Sequence, residues 1–193
     1  HALLCAAIAW RLAHSLGLAE EVACLALTGA LVMNVSMTRL QDELALQSGP
    51  VTAAQRESID DHPFASAAIL GAAGADEPLI ELVRVHHHPD WATVGVQEAA
   101  GLLYVADIFA AKISPRATRR ALLSQQAVRD IYLHENPGIR QYGAALAKSL
   151  GIHLPGCLVR LASGETAVVL RQGPRADWPS VAVIANREGL PVT

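Results

Sequence analysis

The sequence predicts a mainly α-helical bundle followed by a small antiparallel β tail, and three observations support this fold class. The 193 residues are 52% hydrophobic and 17% charged, which is typical of a globular chain. Apolar residues are largely Ala and Leu while aromatic residues make up only 4%, which favours closely packed helices over a β-sandwich. After Gly151 the pattern changes to short β-rich runs. We therefore predict a helical domain over 1–150 and a β tail over 151–193.

The N-terminal region has the apolar periodicity of two helices. Apolar residues at helical spacing predict a first helix over 1–16, which Gly17 ends. A second helix is predicted over 20–34, and its apolar residues on nearly all sides indicate that it is buried.

The next segment contains more turn signals. Residues 38–50 are predicted to form a loop, because Ser, Gly and Pro follow one another at its end. Thr52 is a predicted N-cap for a helix that continues through Asp60. Pro63 is predicted to open a separate helix that ends near Leu70, since proline is favoured in the first turn of a helix.

The second half of the helical region is predicted to hold four further helices. Pro89 stops the first of them, because proline disfavours helical backbone in the residue before it. These helices are predicted over 77–87, 97–113, 114–134 and 139–150.

The tail is predicted to form a β-hairpin or a three-stranded sheet. Alternating apolar residues flank a turn at Ser163-Gly164, as in an antiparallel hairpin. The predicted strands are 158–161, 166–171 and 181–184, with a second break at Gly173-Pro174.

Composition excludes several classes of protein. The net charge of −3 gives no broad basic surface for DNA. The longest apolar stretch, 22–33, is too short and interrupted to span a bilayer. Three scattered cysteines, Cys5, Cys24 and Cys157, suit reduced core thiols and a cytoplasmic location. The chain starts at His1, so we expect a piece of a longer protein that lacks its N-terminus.

The segment "VRVHHHPDW" raises the question of a metal site. Metal sites in helical bundles take ligands from several helices. Suitable donors are His62 at a helix start, His86 and His87 in the last turn of another predicted helix, and Asp107 in the middle of a third. A run of histidines at a helix C-terminus is also favourable when it is simply solvated. Asp107 lies within an apolar helix and requires a partner, because an unpaired buried charge is costly.

Two arginines follow that apolar helix. Arg116 and Arg119 lie one turn apart on the same face of the helix predicted over 114–134, where they could hold a phosphate. The alternative is a solvated basic face. Spacing alone favours the alternative.

Five segments, in this order, resemble the HD-GYP family of the HD superfamily, bacterial phosphohydrolases that hydrolyse cyclic di-GMP. They correspond to its His-Asp motif, its next histidine motif, its paired histidines, its later aspartate and arginine motif, and its closing glycine-rich segment. The segments are "LTGALVMNVSM", "VTAAQRESIDDHPFASAAIL", "LVRVHHHPDW", "LLYVADIFAAKISPRATRRAL" and "GIHLPGCLVRLASGETAVVLRQGP".

The resemblance implies an HD-type bundle and a set of functional residues. Family members hold two or three metal ions, often iron or manganese, which activate a bridging hydroxide and clamp the phosphate. Arg116 and Arg119 match positions that contact the substrate phosphate. The positions that match metal ligands are His62, His86, His87, Asp107 and also His1.

The chain departs from the family at the centre of this chemistry. Met33-Asn34 replaces the His-Asp pair, and neither a thioether nor a neutral amide substitutes for a bridging carboxylate. Met37 replaces the lysine that supports the phosphate, and His88 replaces a glutamate. The segment "DWATVGVQ" replaces the Gly-Tyr-Pro loop. We therefore expect at most one divalent transition metal, Fe, Mn or Zn, and no organic cofactor.

These departures predict a degenerate HD-GYP-like signalling domain with weak or no cyclic di-GMP phosphodiesterase activity. It is expected to bind cyclic di-GMP or another phosphate-containing nucleotide, or to bind a protein signalling partner or an upstream sensor or receiver domain. One alternative is a metal-dependent phosphohydrolase that works with a mononuclear site. Another is a superfamily member that serves only in protein contacts.

Overall fold

Helices come first and a small sheet comes last in the computed structural model, which describes residues 1–115, 120–175 and 177–192. The fold class predicted from the sequence, mainly α-helical with an antiparallel β tail, is confirmed. The helices are α1 (Ala2–Leu16), α2 (Glu20–Val32), α3 (Thr38–Leu46), α4 (Ala53–Ala72), α5 (Glu77–Val85), α6 (Gln97–Ile113), α7 (Ser124–Tyr132) and α8 (Pro137–Leu150). Short 3₁₀ turns lie at Val35–Met37 and Pro89–Trp91, and the strands are β1 (Leu158–Arg160), β2 (Thr166–Arg175) and β3 (Trp178–Ala185).

The core lies where α1, α2 and α6 pack against one another. Helix α6 contributes fully buried side chains such as Leu102, Leu103 and Phe109. Gly29 on α2 leaves room for the Leu82 side chain of α5, since a Cβ at Gly29 would overlap it. Burial of a leucine or phenylalanine of this kind stabilises the fold by about 1.5–3 kcal/mol. Helix α6 therefore contributes a large part of the buried core of the bundle.

The predicted loop over 38–50 is wrong for most of its length, because Thr38–Leu46 forms α3. Its Leu, Gln, Glu and Ala residues have high helix propensity. The turn residues that suggested a loop, Ser48 to Pro50, come only after the helix has ended.

The region after Thr52 forms one continuous helix, α4, rather than the two that were predicted. Thr52 is the N-cap, as predicted, and it forms a reciprocal capping box with Gln55. Pro63 lies inside the helix instead of at its start. Its missing N–H would leave the carbonyl of Ile59 without a partner, and the ring of His62 donates to that oxygen instead, at 2.6 Å. A side chain thus replaces the backbone bond that proline removes.

The helix predicted over 114–134 is shorter in the structure. Ser114, Pro115 and residues 120–123 are not helical, and α7 begins at Ser124. The N–H of Leu122 donates to the carbonyl of Lys112 at 2.9 Å, so the chain folds back against the end of α6.

The tail forms a three-stranded antiparallel sheet in the order β1-β2-β3. Val159 pairs with Ala167, and Ala167 pairs in turn with Val183. The predicted turn contains Gly164, whose φ of 98° favours glycine. Gly173-Pro174 does not separate two strands as predicted, because it lies within β2, beyond the residues that β1 pairs.

Among the described residues, one helical run, Glu20–Leu46, is long and apolar enough to cross a membrane by length and composition alone. A 3₁₀ turn at Val35–Met37 interrupts this run between α2 and α3. Ala23, Ala26 and Ala30 of α2 belong to the hydrophobic core. A core helix meets the same criterion of length and hydropathy.

Candidate metal centre

His62 enters the site from the middle of α4, and its orientation follows from Pro63. Its Nδ1 lies 2.6 Å from the carbonyl oxygen of Ile59. A carbonyl oxygen only accepts hydrogen bonds, so Nδ1 carries the proton and Nε2 of the neutral ring has a free lone pair. The side chain is buried, with 4% of its surface exposed.

His86 is held in the same way at the end of α5, where it is the C-cap residue. The last carbonyls of a helix have no backbone partner within it. The Nδ1 of His86 donates to one of them, the oxygen of Val83, at 2.6 Å. Its Nε2 is therefore also a free lone pair in the neutral ring, and the residue is 1% exposed.

The two free nitrogens face each other. Nε2 of His62 and Nε2 of His86 are 3.1 Å apart and buried. Two lone pairs at this distance repel unless a cation lies between them or one ring takes up a second proton. Zn–N bonds of about 2.1 Å separate two tetrahedral ligand nitrogens by roughly 3.4 Å. Small movements of the rings would accommodate a metal ion.

Uptake of a second proton by His86 is the less favourable way to remove this repulsion near neutral pH. Burial, the neighbouring His87 and the nearby His62 lower the pKa of His86 from 6.5 to about 4, although its bond to Val83 and the Asp107 carboxylate oppose this shift. Burial also lowers the pKa of His87, against the attraction of Asp107. The lowered pKa values favour the neutral imidazoles of His86 and His87, which are the form that binds metals.

His87 completes a group of three imidazoles. Its ring centroid lies 4.1 Å from that of His86 and 5.0 Å from that of His62. One nitrogen of each ring lies within 4.8 Å of the others, so the three side chains could hold a metal ion. A carboxylate or hydrogen-bonded carbonyl behind each ligating ring is typical of metal-bound histidines, and two of the three rings have such a carbonyl.

Asp107 does not join this group within the same distance, although the sequence analysis placed it there. Its Oδ1 lies 2.7 Å from Nε2 of His1, and that nitrogen is 3.3 Å from Sγ of Cys5. One ligand atom from each of these three residues lies within 4.8 Å of the others, which makes a second possible metal group. Burial, and then the Asp107 carboxylate, raise the pKa of the Cys5 thiol to about 12.

Cys5 was not predicted as a candidate ligand. All three cysteines were predicted to be core thiols, which describes Cys5, whereas Cys24 is exposed and Cys157 is partly exposed. The spacing of His1 and Cys5 was the available signal, because residues four apart lie on one face of a helix. All three cysteines are free.

Both groups border one cavity of about 370 Å³. His62 and His87 of the first group and His1 and Asp107 of the second group are among its lining residues. Asn34 and Met37, two positions at which the sequence departs from the motifs that it resembles, also line the cavity.

Met33 has a different environment. It is fully buried and belongs to the hydrophobic core together with residues such as Leu12 and Leu82. Its side chain therefore fills apolar space next to the site. Asn34 is 9% exposed and lies at the boundary between this core and the cavity.

Arg116, Arg119 and His88 are the remaining positions that the sequence analysis discussed. Arg116 and Arg119 lie outside the described residues. His88 is exposed and stacks on Trp91, with ring centroids 4.0 Å apart.

A larger cavity of about 940 Å³ lies between the start of α7 and the β tail. Leu122, Leu154, Leu158 and Val181 are among the apolar residues that line it. The two groups of possible metal ligands lie at the smaller cavity, so we assign the candidate site there.

Comparison with known proteins identified a similar phosphodiesterase. The chain is 26% identical to a cyclic di-GMP phosphodiesterase of Pseudomonas aeruginosa, in an alignment of 185 residues that covers 91% of this chain and 45% of the relative. No family model matches the chain, and no solved structure matches it. The chain spans less than half of that relative. Over most of its length, this helical chain with its buried histidine cluster is therefore similar to a cyclic di-GMP phosphodiesterase.

Proposed function

We propose that the chain is a degenerate HD-GYP-like signalling domain with a remaining metal site and weak or no phosphodiesterase activity. The observation that carries this proposal is Met33, which stands where the family has the histidine of its His-Asp motif and packs in the hydrophobic core. Asn34 at the cavity offers a neutral oxygen in place of a carboxylate. The pair cannot hold two cations close together or offset their charge.

The remaining site suits a single ion. His62, His86 and His87 provide three imidazole nitrogens, and iron, manganese or zinc accept such ligands. A bound divalent ion would supply Lewis acidity and lower the pKa of a water ligand. The chain's own contribution is to fix His62 and His86 by their Nδ1 bonds and to shield them from solvent.

A nucleotide is the proposed ligand. The similarity to a cyclic di-GMP phosphodiesterase supports cyclic di-GMP or a related phosphate compound. We propose Arg116 and Arg119 as the groups that bind its phosphates, since guanidinium groups form charge-assisted bonds with phosphate oxygens. An upstream sensor or receiver domain and a cytoplasmic location belong to the same proposal.

The test is hydrolysis of cyclic di-GMP and of linear pGpG by the purified protein with Fe²⁺ or Mn²⁺ supplied. We expect turnover far below that of an intact family member measured in parallel. Replacement of Met33 by His together with Asn34→Asp is expected to raise activity, and Asn34→Asp alone serves if the double variant does not fold. Turnover by the unaltered chain equal to that of the intact enzyme would contradict the proposal.

A second candidate function is a phosphohydrolase with a mononuclear site, and the facing nitrogens of His62 and His86 favour it. Under this alternative, His87→Ala abolishes turnover of a phosphate ester while His88→Ala, its exposed neighbour, does not. Purified protein that binds no transition metal on titration would exclude this function. Calorimetry with cyclic di-GMP separates both candidates from a domain that only contacts proteins.

A further inference from the structure

We infer that the larger cavity, between the start of α7 and the β tail, binds a long-chain carboxylate, with the acyl chain against its apolar walls and the carboxylate on Arg160. The cavity measures about 940 Å³. This volume lies within the range of about 300–1,000 Å³ that is usual for small-molecule sites. The inference goes beyond the proposed function, since it requires neither the metal centre nor a nucleotide.

Apolar side chains from separate parts of the chain form the walls of this cavity. They come from α1, the end of α6, the segment before α7, the link after α8 and the sheet, and include Leu4, Ile113, Leu122, Leu154, Leu158 and Val181. Leu123, Leu158 and Trp178 line the cavity while they remain 66–67% exposed. Large apolar side chains gathered at one exposed surface are typical of a binding site. An acyl chain would remove this apolar surface from water, which is favourable.

The charge at the cavity favours an anionic end group. Among the described residues that line it, none is Asp or Glu, and Arg160 and His153 are the basic ones. The guanidinium of Arg160 has no hydrogen bond or ion pair with another described residue. His153 is less available, because its ring contacts Gln125 at 3.1 Å and lies within electrostatic range of Asp177.

Arg160 also lies beside an apolar wall. It is two residues from Leu158 in β1, and side chains two apart in a strand project from the same face. A guanidinium binds a carboxylate through two parallel hydrogen bonds. An apolar chain that ends in a carboxylate therefore matches both the wall and the free cation.

Hydrogen bonds fix the segment between α8 and β1, which forms one wall of the cavity. The hydroxyl of Ser124 donates to the carbonyl of Ile152 at 2.6 Å and joins this segment to the start of α7. The N–H of Gly156 donates to the carbonyl of Val169 at 2.8 Å, and the N–H of Val169 donates to that of Cys157 at 2.9 Å. The wall is thus ordered in the empty cavity, which lowers the entropic cost of binding.

Tryptophan fluorescence tests the uptake of an acyl chain. A variant with Trp10→Phe and Trp91→Phe retains Trp178 as its sole tryptophan. Titration with decanoate below its micelle concentration should shift the emission to shorter wavelength, because the chain displaces water from an exposed indole. Affinity should rise roughly fourfold with each methylene added from octanoate to dodecanoate. The absence of any shift across this series would overturn the inference.

Calorimetry with the chain that retains all its tryptophans tests the role of Arg160. Decanoate should bind about tenfold more tightly than decanol, because the alcohol cannot form the paired bonds to a guanidinium. Arg160→Gln should remove this preference and leave the affinity for decanol unchanged. Arg171→Gln, at an exposed arginine of β2 outside the described lining of the cavity, should retain it. Equal affinity of the unaltered chain for acid and alcohol would refute the assignment.

The remaining occupants of such a surface give different results. Self-association of the ligand-free chain in sedimentation, abolished by Leu158→Asp, would assign the surface to a second copy and overturn the inference. Binding to phosphatidylglycerol vesicles without binding of soluble decanoate would assign it to a membrane surface and overturn it equally. Neither result affects the proposed function, since none of the candidate metal ligands is among the described residues that line this cavity.

Discussion

The buried histidine pair makes the stability of the metal-free protein depend on pH, and replacement of His86 by Asn tests this. Asparagine is smaller, and its side-chain nitrogen can take the place of Nδ1 and still donate to Val83. The substitution therefore removes the titratable ring while it retains the hydrogen bond at the end of α5.

The magnitude follows from the two proton affinities of this residue. In the unfolded chain the ring takes up a proton near 6.5, whereas burial and neighbouring histidines lower the pKa of folded His86 to about 4. Between these values the unfolded state binds more protons, so stability is full above pH 6.5, falls as the pH decreases and levels off below pH 4. Since a tenfold change in proton affinity corresponds to about 1.4 kcal/mol, the loss amounts to about 3 kcal/mol.

Urea unfolding between pH 4 and pH 8, with a chelator present, measures this effect. We expect the free energy of unfolding of the unaltered chain to fall by about 3 kcal/mol more than that of His86→Asn over this range. His88→Asn, at the exposed neighbour that stacks on Trp91, is the matched control and should follow the unaltered protein. Parallel curves for the His86→Asn variant and the unaltered chain would refute the reasoning.

Three further predictions concern packing, capping and metal binding. Gly143→Ala should lower the free energy of urea unfolding by about 1–3 kcal/mol, because a Cβ there would lie 2.6 Å from the backbone of Tyr132. Gly95→Ala, at a position with open space around it, should have little effect in the same assay. Thr52→Ala removes the capping box of α4 and should cost about 1 kcal/mol in urea unfolding, with unchanged stability contradicting the assigned cap. Zn²⁺ at a hundredfold excess over its dissociation constant should stabilise the chain by about 2.7 kcal/mol in thermal unfolding. His87→Ala should reduce that stabilisation, because His87 is a candidate ligand. Equal stabilisation of the variant and the unaltered chain would exclude His87 as a ligand.

The order of the main helices and the sheet could be predicted from local patterns, but their boundaries depended on contacts that those patterns omit. The apolar run of α6 and the alternation on either side of Gly164 are properties of neighbouring residues. The continuity of α4 could not be predicted from local patterns, because proline normally marks the start of a helix. Only the bond from His62 to Ile59 explains how the helix continues through Pro63.

The candidate site could be predicted only in part. The positions of His62, His86 and His87 on the predicted helices made them candidate ligands, the resemblance supported the same set, and the structure places them within reach of one ion. The separate pairing of Asp107 with His1 and Cys5 depends on how α1 packs against α6. A local sequence pattern does not predict the distance between side chains on two packed helices. Cys5 was not predicted as a possible ligand, because three scattered cysteines were interpreted as core thiols.

The bond between His62 and Ile59 also affects the entropy of ion binding. A free histidine side chain samples several rotamers, and its immobilisation on binding costs about 0.5–1.5 kcal/mol. His62 and His86 lose that freedom when the chain folds, because backbone carbonyls orient both rings. An entering cation would therefore meet ligands that are already ordered, and its affinity would be governed mainly by the balance between the metal–nitrogen bonds formed and the hydration shell lost.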